Sequence, residues 1–178
     1  MPAQKPVDKP LISRQGEVTR LVWTRLSEAG LEDLAVGLAD LTKCGDILLL
    51  RGKLGAGKTT LARAFIRSYT GNPSEEVPSP TYTLVQTYAA ADSARPAVWH
   101  FDFYRIANPS EVAELGLEEA FAEGISLIEW PENAPDAAPE QALQITLEDC
   151  GDENLRALTI TGDGSWRERL AKLGSVAL

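Results

Sequence analysis

The apolar positions of this chain change period several times, and each change marks an element. Leu21, Val22 and Trp23 form a short segment of strand character. Ser27 follows as an N-cap, and Leu31, Leu34, Ala35, Leu38 and Leu41 then recur at helical spacing. That pattern predicts an amphipathic helix closed by Cys44-Gly45-Asp46. Ile47 to Leu50 is continuously apolar over the length of a strand, as in a central strand buried on both faces. After a glycine-rich loop, Leu61, Ala62, Ala64, Phe65 and Ile66 predict a second helix, ending near Gly71-Asn72-Pro73.

Residues 72–81 carry Pro73, Pro78 and Pro80 with two serines and read as an irregular loop. Tyr82 to Tyr88 and Ala97 to Phe103 alternate and are rich in aromatics, which predicts two strands. Asn108-Pro109-Ser110-Glu111 starts a helix running to about Phe121, with Ser110 as its cap. Ile125 to Ile128 is a short apolar strand ending in Glu129-Trp130-Pro131. Residues 131–140 read as a loop or short helix. Leu143 to Leu147 and Leu155 to Ile160 read as an antiparallel pair around an acidic turn, and Trp166 to Leu173 as a closing amphipathic helix. Residues 1–15 hold three prolines and no apolar period, so they read as a flexible N-terminal arm. Residues 16–178 read as a single domain, with no internal repeat and no linker.

The glycine-rich loop is Gly52-Lys53-Leu54-Gly55-Ala56-Gly57-Lys58-Thr59, a G-x-x-x-x-G-K-[ST] pattern between a predicted strand and a predicted helix. Its glycines reach backbone angles that other residues avoid, so that several N–H groups face inward at phosphate oxygens. The helix starting near Lys58 adds its positive N-terminal end. Lys58 supplies a full charge beside the β- and γ-phosphates, and Thr59 offers a hydroxyl to Mg²⁺. The expected fold is therefore α/β and P-loop NTPase-like. It has three layers: a central, mostly parallel sheet with antiparallel additions, and helices on both faces.

P-loop enzymes also place an acid near the metal, at the end of a neighbouring apolar strand. Glu129 after Ile125-Ser126-Leu127-Ile128 fits, with Asp102 after Val98-Trp99-His100-Phe101 as the alternative, and Glu129 is the favoured metal-side carboxylate. Both would sit at strand ends, where open α/β sheets bind ligands. Pro78-Ser79-Pro80-Thr81 holds two hydroxyls between rigid prolines, in the place of a loop that senses the γ-phosphate; a plain surface turn is the alternative. In His100-Phe101-Asp102-Phe103-Tyr104-Arg105, strand spacing puts His100, Asp102 and Tyr104 on one face. Asp102 is then a candidate for orienting water and Arg105 for stabilising charge; a structural polar network is the other reading. Trp130 suits stacking on a base or partner as well as it suits a core.

The net charge of −9 excludes broad electrostatic binding of nucleic acid, which needs a basic surface. One histidine and two separated cysteines, Cys44 and Cys150, exclude a standard zinc site and read as buried reduced thiols. No apolar run is long enough to span a bilayer and the N-terminus has no signal-like core, so the expectation is a cytoplasmic protein without membrane contact.

Taken together and in order, the loop from Gly52 to Thr60, Val77-Pro78-Ser79-Pro80-Thr81-Tyr82-Thr83-Leu84, the strand from His100 to Arg105, and Ile128-Glu129-Trp130-Pro131 resemble the TsaE (YjeE) family. These are the bacterial ATPases of tRNA threonylcarbamoyladenosine biosynthesis, and the resemblance covers roughly residues 27–132. It implies an ATPase needed to form N6-threonylcarbamoyladenosine in tRNAs reading codons that begin with A. Such a protein acts on a TsaD-like transferase with its TsaB-like subunit and meets tRNA only through that complex. The implied cofactors are ATP and Mg²⁺. Thr59 and Glu129 fall on the family's metal positions, and Asp102 and Trp130 on positions tied to its ATPase activity. Catalysis is thus expected from Lys58 and Asp102. Nucleotide binding is expected from Gly52, Leu54, Gly55, Ala56, Gly57, Lys58, Thr59, Thr60, Ser79, Thr81 and Trp130. The chain departs from the family pattern at Gly30, where a threonine near the adenine is frequent, so adenine contacts are expected from elsewhere, near Leu26 and Ser27. Lys53 stands where an acid is common and Phe103 where leucine is common.

Three rivals differ in kind. A small-molecule kinase would carry an arginine-rich lid, whereas the arginines after the loop are scattered. A GTPase would carry an N/T-K-x-D string after the loop; the nearest, Thr42-Lys43-Cys44-Gly45-Asp46, precedes it and is one residue too long. A nucleotide-sensing module without turnover would share every motif.

Overall fold

Strand β3 (Ile47–Arg51) settles the layering of the molecule, because its side chains are buried on both faces. Leu48 and Leu50 enter one apolar cluster and Ile47 and Leu49 a second one on the opposite face. In the computed structural model, which describes residues 9–175, these two clusters form the two sides of a single sheet.

The other strands are β1 (Leu11–Gln15), β2 (Val18–Ser27), β4 (Val85–Tyr88), β5 (Val98–Asp102), β6 (Ile125–Glu129), β7 (Leu143–Asp149) and β8 (Leu155–Gly162). Their spatial order is β1-β2-β8-β7-β3-β6-β5-β4. The central run β7-β3-β6-β5 is parallel, and the flanking pairs are antiparallel. Helices α1 (Glu28–Leu41), α2 (Lys58–Thr70) and α4 (Trp166–Ser175) cover the Leu48/Leu50 face. Helix α3 (Leu117–Glu123) and a 3₁₀ segment, Pro109–Leu115, cover the other. The α/β layering expected from the sequence is therefore present, with antiparallel strands on both flanks of the parallel core. No helix among the described residues is long and apolar enough to cross a membrane.

Local chemistry accounts for the principal boundaries. The Ser27 hydroxyl accepts from the Gly30 N–H at 3.1 Å and starts α1. Gly71 at φ 70° ends α2 in the left-handed conformation that glycine adopts without a Cβ clash. The side chain of Arg169 in α4 pins three elements: it binds both carboxylate oxygens of Asp46, the Leu41 carbonyl at 3.1 Å, and lies over the Trp166 ring.

Four expectations are corrected. Residues 11–15, assigned to a flexible arm, form β1, paired with β2 across a tight turn at Gly16; residues 1–8 lie outside the described residues. β1 is exposed throughout, so its sequence shows no apolar alternation, and pairing to β2 alone defines it. The strand expected from Tyr82 begins only at Val85, since residues 81–83 turn and Leu84 is left-handed at φ 65°. The helix expected through Phe121 is split at Gly116, φ 76°, and its cap is Asn108 in a reciprocal box with Glu111, not Ser110. Cys44 and Cys150 are free but not buried: one is exposed and the other partly so.

Arg169→Ala should lower unfolding free energy by about 2–4 kcal/mol, because it strands a paired carboxylate and uncovers Trp166. Chemical denaturation of the variant checks the value.

Candidate nucleotide site

The parallel strands release the chain at one end of the sheet, and the site forms there. β3 runs into Gly52 at φ 144°, where a Cβ would stand 2.5 Å from the Leu147 carbonyl oxygen. Only glycine lets the loop pass so close to β7. Gly57, at φ 105°, caps α2 without a side chain, leaving the first N–H groups of the helix free to face an anion.

A cavity of about 260 Å³ opens over this turn. Leu54, Gly55, Ala56, Gly57, Lys58, Thr59 and Thr60 line it from the loop and α2, and Ser79, Thr81, Asp102, Tyr104, Glu129 and Trp130 line it from the other side. Of the loop residues assigned to nucleotide binding from sequence, Gly52 alone does not line the cavity. It lies behind the loop, and its carbonyl accepts a hydrogen bond from Lys58 Nζ at 2.7 Å.

Lys58 is buried, and its ammonium also binds the Lys53 carbonyl at 3.0 Å and sits 3.8 Å from the centre of the Trp130 ring. Burial pushes its pKa below the usual lysine range, against the pull of the Glu129, Glu132 and Asp102 carboxylates. An arriving phosphate would offset that desolvation. Trp130 is held left-handed at φ 58°, a costly conformation for a bulky residue, and its ring packs on Tyr104 at 5.0 Å.

Asp102 and Glu129 are register partners in the β5–β6 ladder, so both carboxylates emerge side by side from the strand ends. Glu129 Oε2 accepts from the Thr59 hydroxyl at 3.0 Å. Asp102 Oδ2 lies 2.8 Å from the Ser79 hydroxyl and 2.7 Å from that of Thr81, and its Oδ1 accepts the Tyr104 N–H at 2.9 Å. The Pro78–Thr81 segment is thus not a plain surface turn: it is tied to the strand end by both hydroxyls. A threonine hydroxyl beside a carboxylate is an all-oxygen donor set of the kind Mg²⁺ takes, with water and phosphate oxygens completing its shell. Among the described residues no group of three or more His, Cys, Asp or Glu could hold a metal alone.

Two details differ from the sequence reading. β5 ends at Asp102, so two-residue spacing stops there. Arg105 lies over the Tyr82 ring at 4.1 Å and does not line the cavity, and Tyr104 reaches it through a turn rather than from a strand face. Position 30 is tight: a Cβ on Gly30 would lie 2.6 Å from Leu26 Cδ1, so a larger residue there requires the Leu26 side chain to shift.

Comparison with known proteins accords with this geometry. The family model described as threonylcarbamoyl adenosine biosynthesis protein TsaE matches residues 26–157, which include every residue lining the cavity. The chain belongs to the TsaE family. It is 37% identical to the tRNA threonylcarbamoyladenosine biosynthesis protein TsaE of Rickettsia felis over 78% of each chain. It is 34% identical to that of Bacillus subtilis over 86% of this chain and 92% of the relative. The crystal structure of Bacillus subtilis YdiB superposes with a TM-score of 0.71 at 31% identity, covering 90% of this chain and 97% of that one. The protein therefore belongs to a family of tRNA threonylcarbamoyladenosine biosynthesis.

Sequence reasoning left some of the surroundings unassigned. A second cavity of about 440 Å³ shares Gly55, Ala56, Gly57 and Thr60 with the first and adds Ser27, Glu28 and Ala29 from the start of α1. Glu153 and Asn154 from the β7–β8 turn and Arg156 at the start of β8 complete it. Those three carry no motif, because their position depends on a hairpin folding back over the loop.

Gly52→Ala should displace the loop from β7 and lower the melting temperature by several degrees, at about 2–4 °C per kcal/mol for a chain of this size. Thermal unfolding of the variant checks this, and a melting curve equal to the wild type would contradict the close approach.

Proposed function

We propose that this TsaE-family protein is a Mg²⁺-dependent ATPase that supports formation of N6-threonylcarbamoyladenosine in tRNA. On this reading ATP binding and hydrolysis act on a TsaD-like transferase with its TsaB-like subunit. The observation that carries the reading is the convergence of Lys58, the Thr59–Glu129 pair and the Asp102–Ser79–Thr81 cluster on one cavity at the strand ends.

In this reading the loop N–H groups and the α2 N-terminus hold the β- and γ-phosphates, and Lys58 turns from its carbonyl partners toward them. Thr59 and Glu129 would hold Mg²⁺, which when bound spreads the charge of the phosphate oxygens. The nucleoside end would extend into the second cavity, where the first turn of α1 and the β7–β8 hairpin replace the contact that Gly30 cannot make. Water would then attack the γ-phosphorus directly as its bond to the β–γ bridging oxygen breaks, releasing ADP and inorganic phosphate with no phosphoenzyme.

Asp102 would act through the loop. One of its oxygens already accepts two hydroxyls, so a γ-phosphate that draws Ser79 or Thr81 away frees that oxygen for water. Nucleotide state and loop position are thereby linked. On this reading Lys58 must exchange its loop carbonyls, and Asp102 its hydroxyl partners, before turnover. The acidic chain would leave tRNA to the TsaD-like and TsaB-like partners.

Lys58→Ala and Glu129→Ala should each lower partner-stimulated ATP turnover at least about a hundredfold. Asp102→Ala should reduce turnover more than it reduces ATP affinity. Normal hydrolysis by Asp102→Ala in the presence of the partner pair would remove its assigned role. A pull-down with the TsaD–TsaB-like pair should show ATP-dependent association, and fast phosphate transfer to a metabolite would instead favour a kinase.

A further inference from the structure

Beneath the metal-side carboxylate lies the one histidine of the chain, His100, in the middle of β5 and fully buried. In the β5–β6 register His100 stands opposite Leu127, two residues before the Asp102–Glu129 pair, so its side chain shares a sheet face with Glu129. Its Nε2 lies 2.9 Å from Glu129 Oε1, while the other carboxylate oxygen, Oε2, accepts from Thr59. Its Nδ1 is buried and has no hydrogen-bond partner. An N–H on Nδ1 would be a buried donor without an acceptor, which is costlier than a bare lone pair there. The proton therefore belongs on Nε2, aimed at Glu129.

We infer that His100 is a positioning residue for the proposed Mg²⁺ site. By holding Oε1 from below it leaves Oε2 as the single oxygen turned to Thr59 and the cavity. Its neighbours Val98, Ile125 and Leu127 in the same apolar cluster are all buried and offer no side-chain donor that could replace it. Glu129 is itself almost wholly buried, so without His100 its inner oxygen would lose the donor that fixes the carboxylate plane. Partners that orient a metal ligand in this way typically change metal affinity by about ten- to a hundredfold when removed. The inference rests on the ATPase reading for its metal, but the His100–Glu129 pairing exists without nucleotide.

Two measurements on the full chain test it. The single histidine makes the imidazole ¹⁵N–¹H spectrum free of overlap. Wild type should show the proton on Nε2 and a bare Nδ1, and Glu129→Gln should shift the Nε2 resonance. A proton on Nδ1, or no response to Glu129→Gln, would overturn the pairing whether or not ATP binds. The second measurement is ATP affinity by calorimetry with and without Mg²⁺. His100→Phe keeps a flat ring without the donor, and should raise the Mg²⁺ concentration that half-saturates the enhancement about tenfold or more. Affinity in EDTA should stay within about twofold, and His100→Gln, which restores an N–H, should recover most of the loss. Equal losses with and without Mg²⁺ would mark a merely structural role and overturn the inference, as would an unchanged Mg²⁺ dependence. Wild type that binds no ATP would sink the ATPase reading alone and leave the spectroscopic test standing.

Discussion

The parallel pairing of β3 with β6, buried on both faces, is the constraint on which the remaining structure depends. In that ladder Leu50 stands opposite Glu129, and one step further across the sheet Glu129 stands opposite Asp102. Earlier on these strands polar groups are few, because two layers of helices exclude water from the middle; His100 and Ser126 are buried there, and His100 Nδ1 and Ser126 Oγ have no partner. Polar chemistry is therefore pushed to the strand ends, all on one edge, because the strands run in one direction. The glycine-rich loop leaves β3 at the same edge, so α2 begins where the acids emerge. A site assembled from residues some seventy positions apart follows from that single geometric condition.

The polar groups that do lie deeper are organised around the same edge. Ser79 and Thr81 hold one oxygen of Asp102, Thr59 holds one oxygen of Glu129, and His100 meets the other from below. Each carboxylate thus has one oxygen bound to the strand region, by the Tyr104 N–H or His100, and the other to side-chain hydroxyls. Trp130 and Leu84 carry left-handed backbones on either side of the site, the two non-glycine residues with positive φ among those described. The Leu84 carbonyl accepts the Asp102 N–H at 3.0 Å, and the Trp130 ring covers the Lys58 ammonium. Strain of this kind persists only where the surroundings over-determine the backbone, and here both instances border groups proposed to respond to phosphate.

Much of this was legible in the residues. The continuous apolar run Ile47–Leu50, the glycine spacing from Gly52 to Gly57, and Ser27 as a cap are local signals with local causes. They placed β3, the loop and α1 correctly. Glu129 and Asp102 were identifiable as strand-end acids because an apolar run stops at each. The hinge at Gly116, the turn at Leu84 and the exposed strand β1 were not legible, since none of them disturbs or creates an apolar period. Arg105 was misplaced because strand spacing was extended three residues past the end of β5.

By itself, then, the sequence determined the central elements: glycine placement and apolar period act over a few residues and need no distant partner. The tertiary structure alone decided which groups face one another. It set Asp102 against Ser79 and Thr81, His100 beneath Glu129, Trp130 over Lys58, and the β7–β8 turn beside the loop. Those pairings depend on strand register and on hairpins folding back, which are fixed by burial summed over the whole sheet, and no short stretch of residues encodes them.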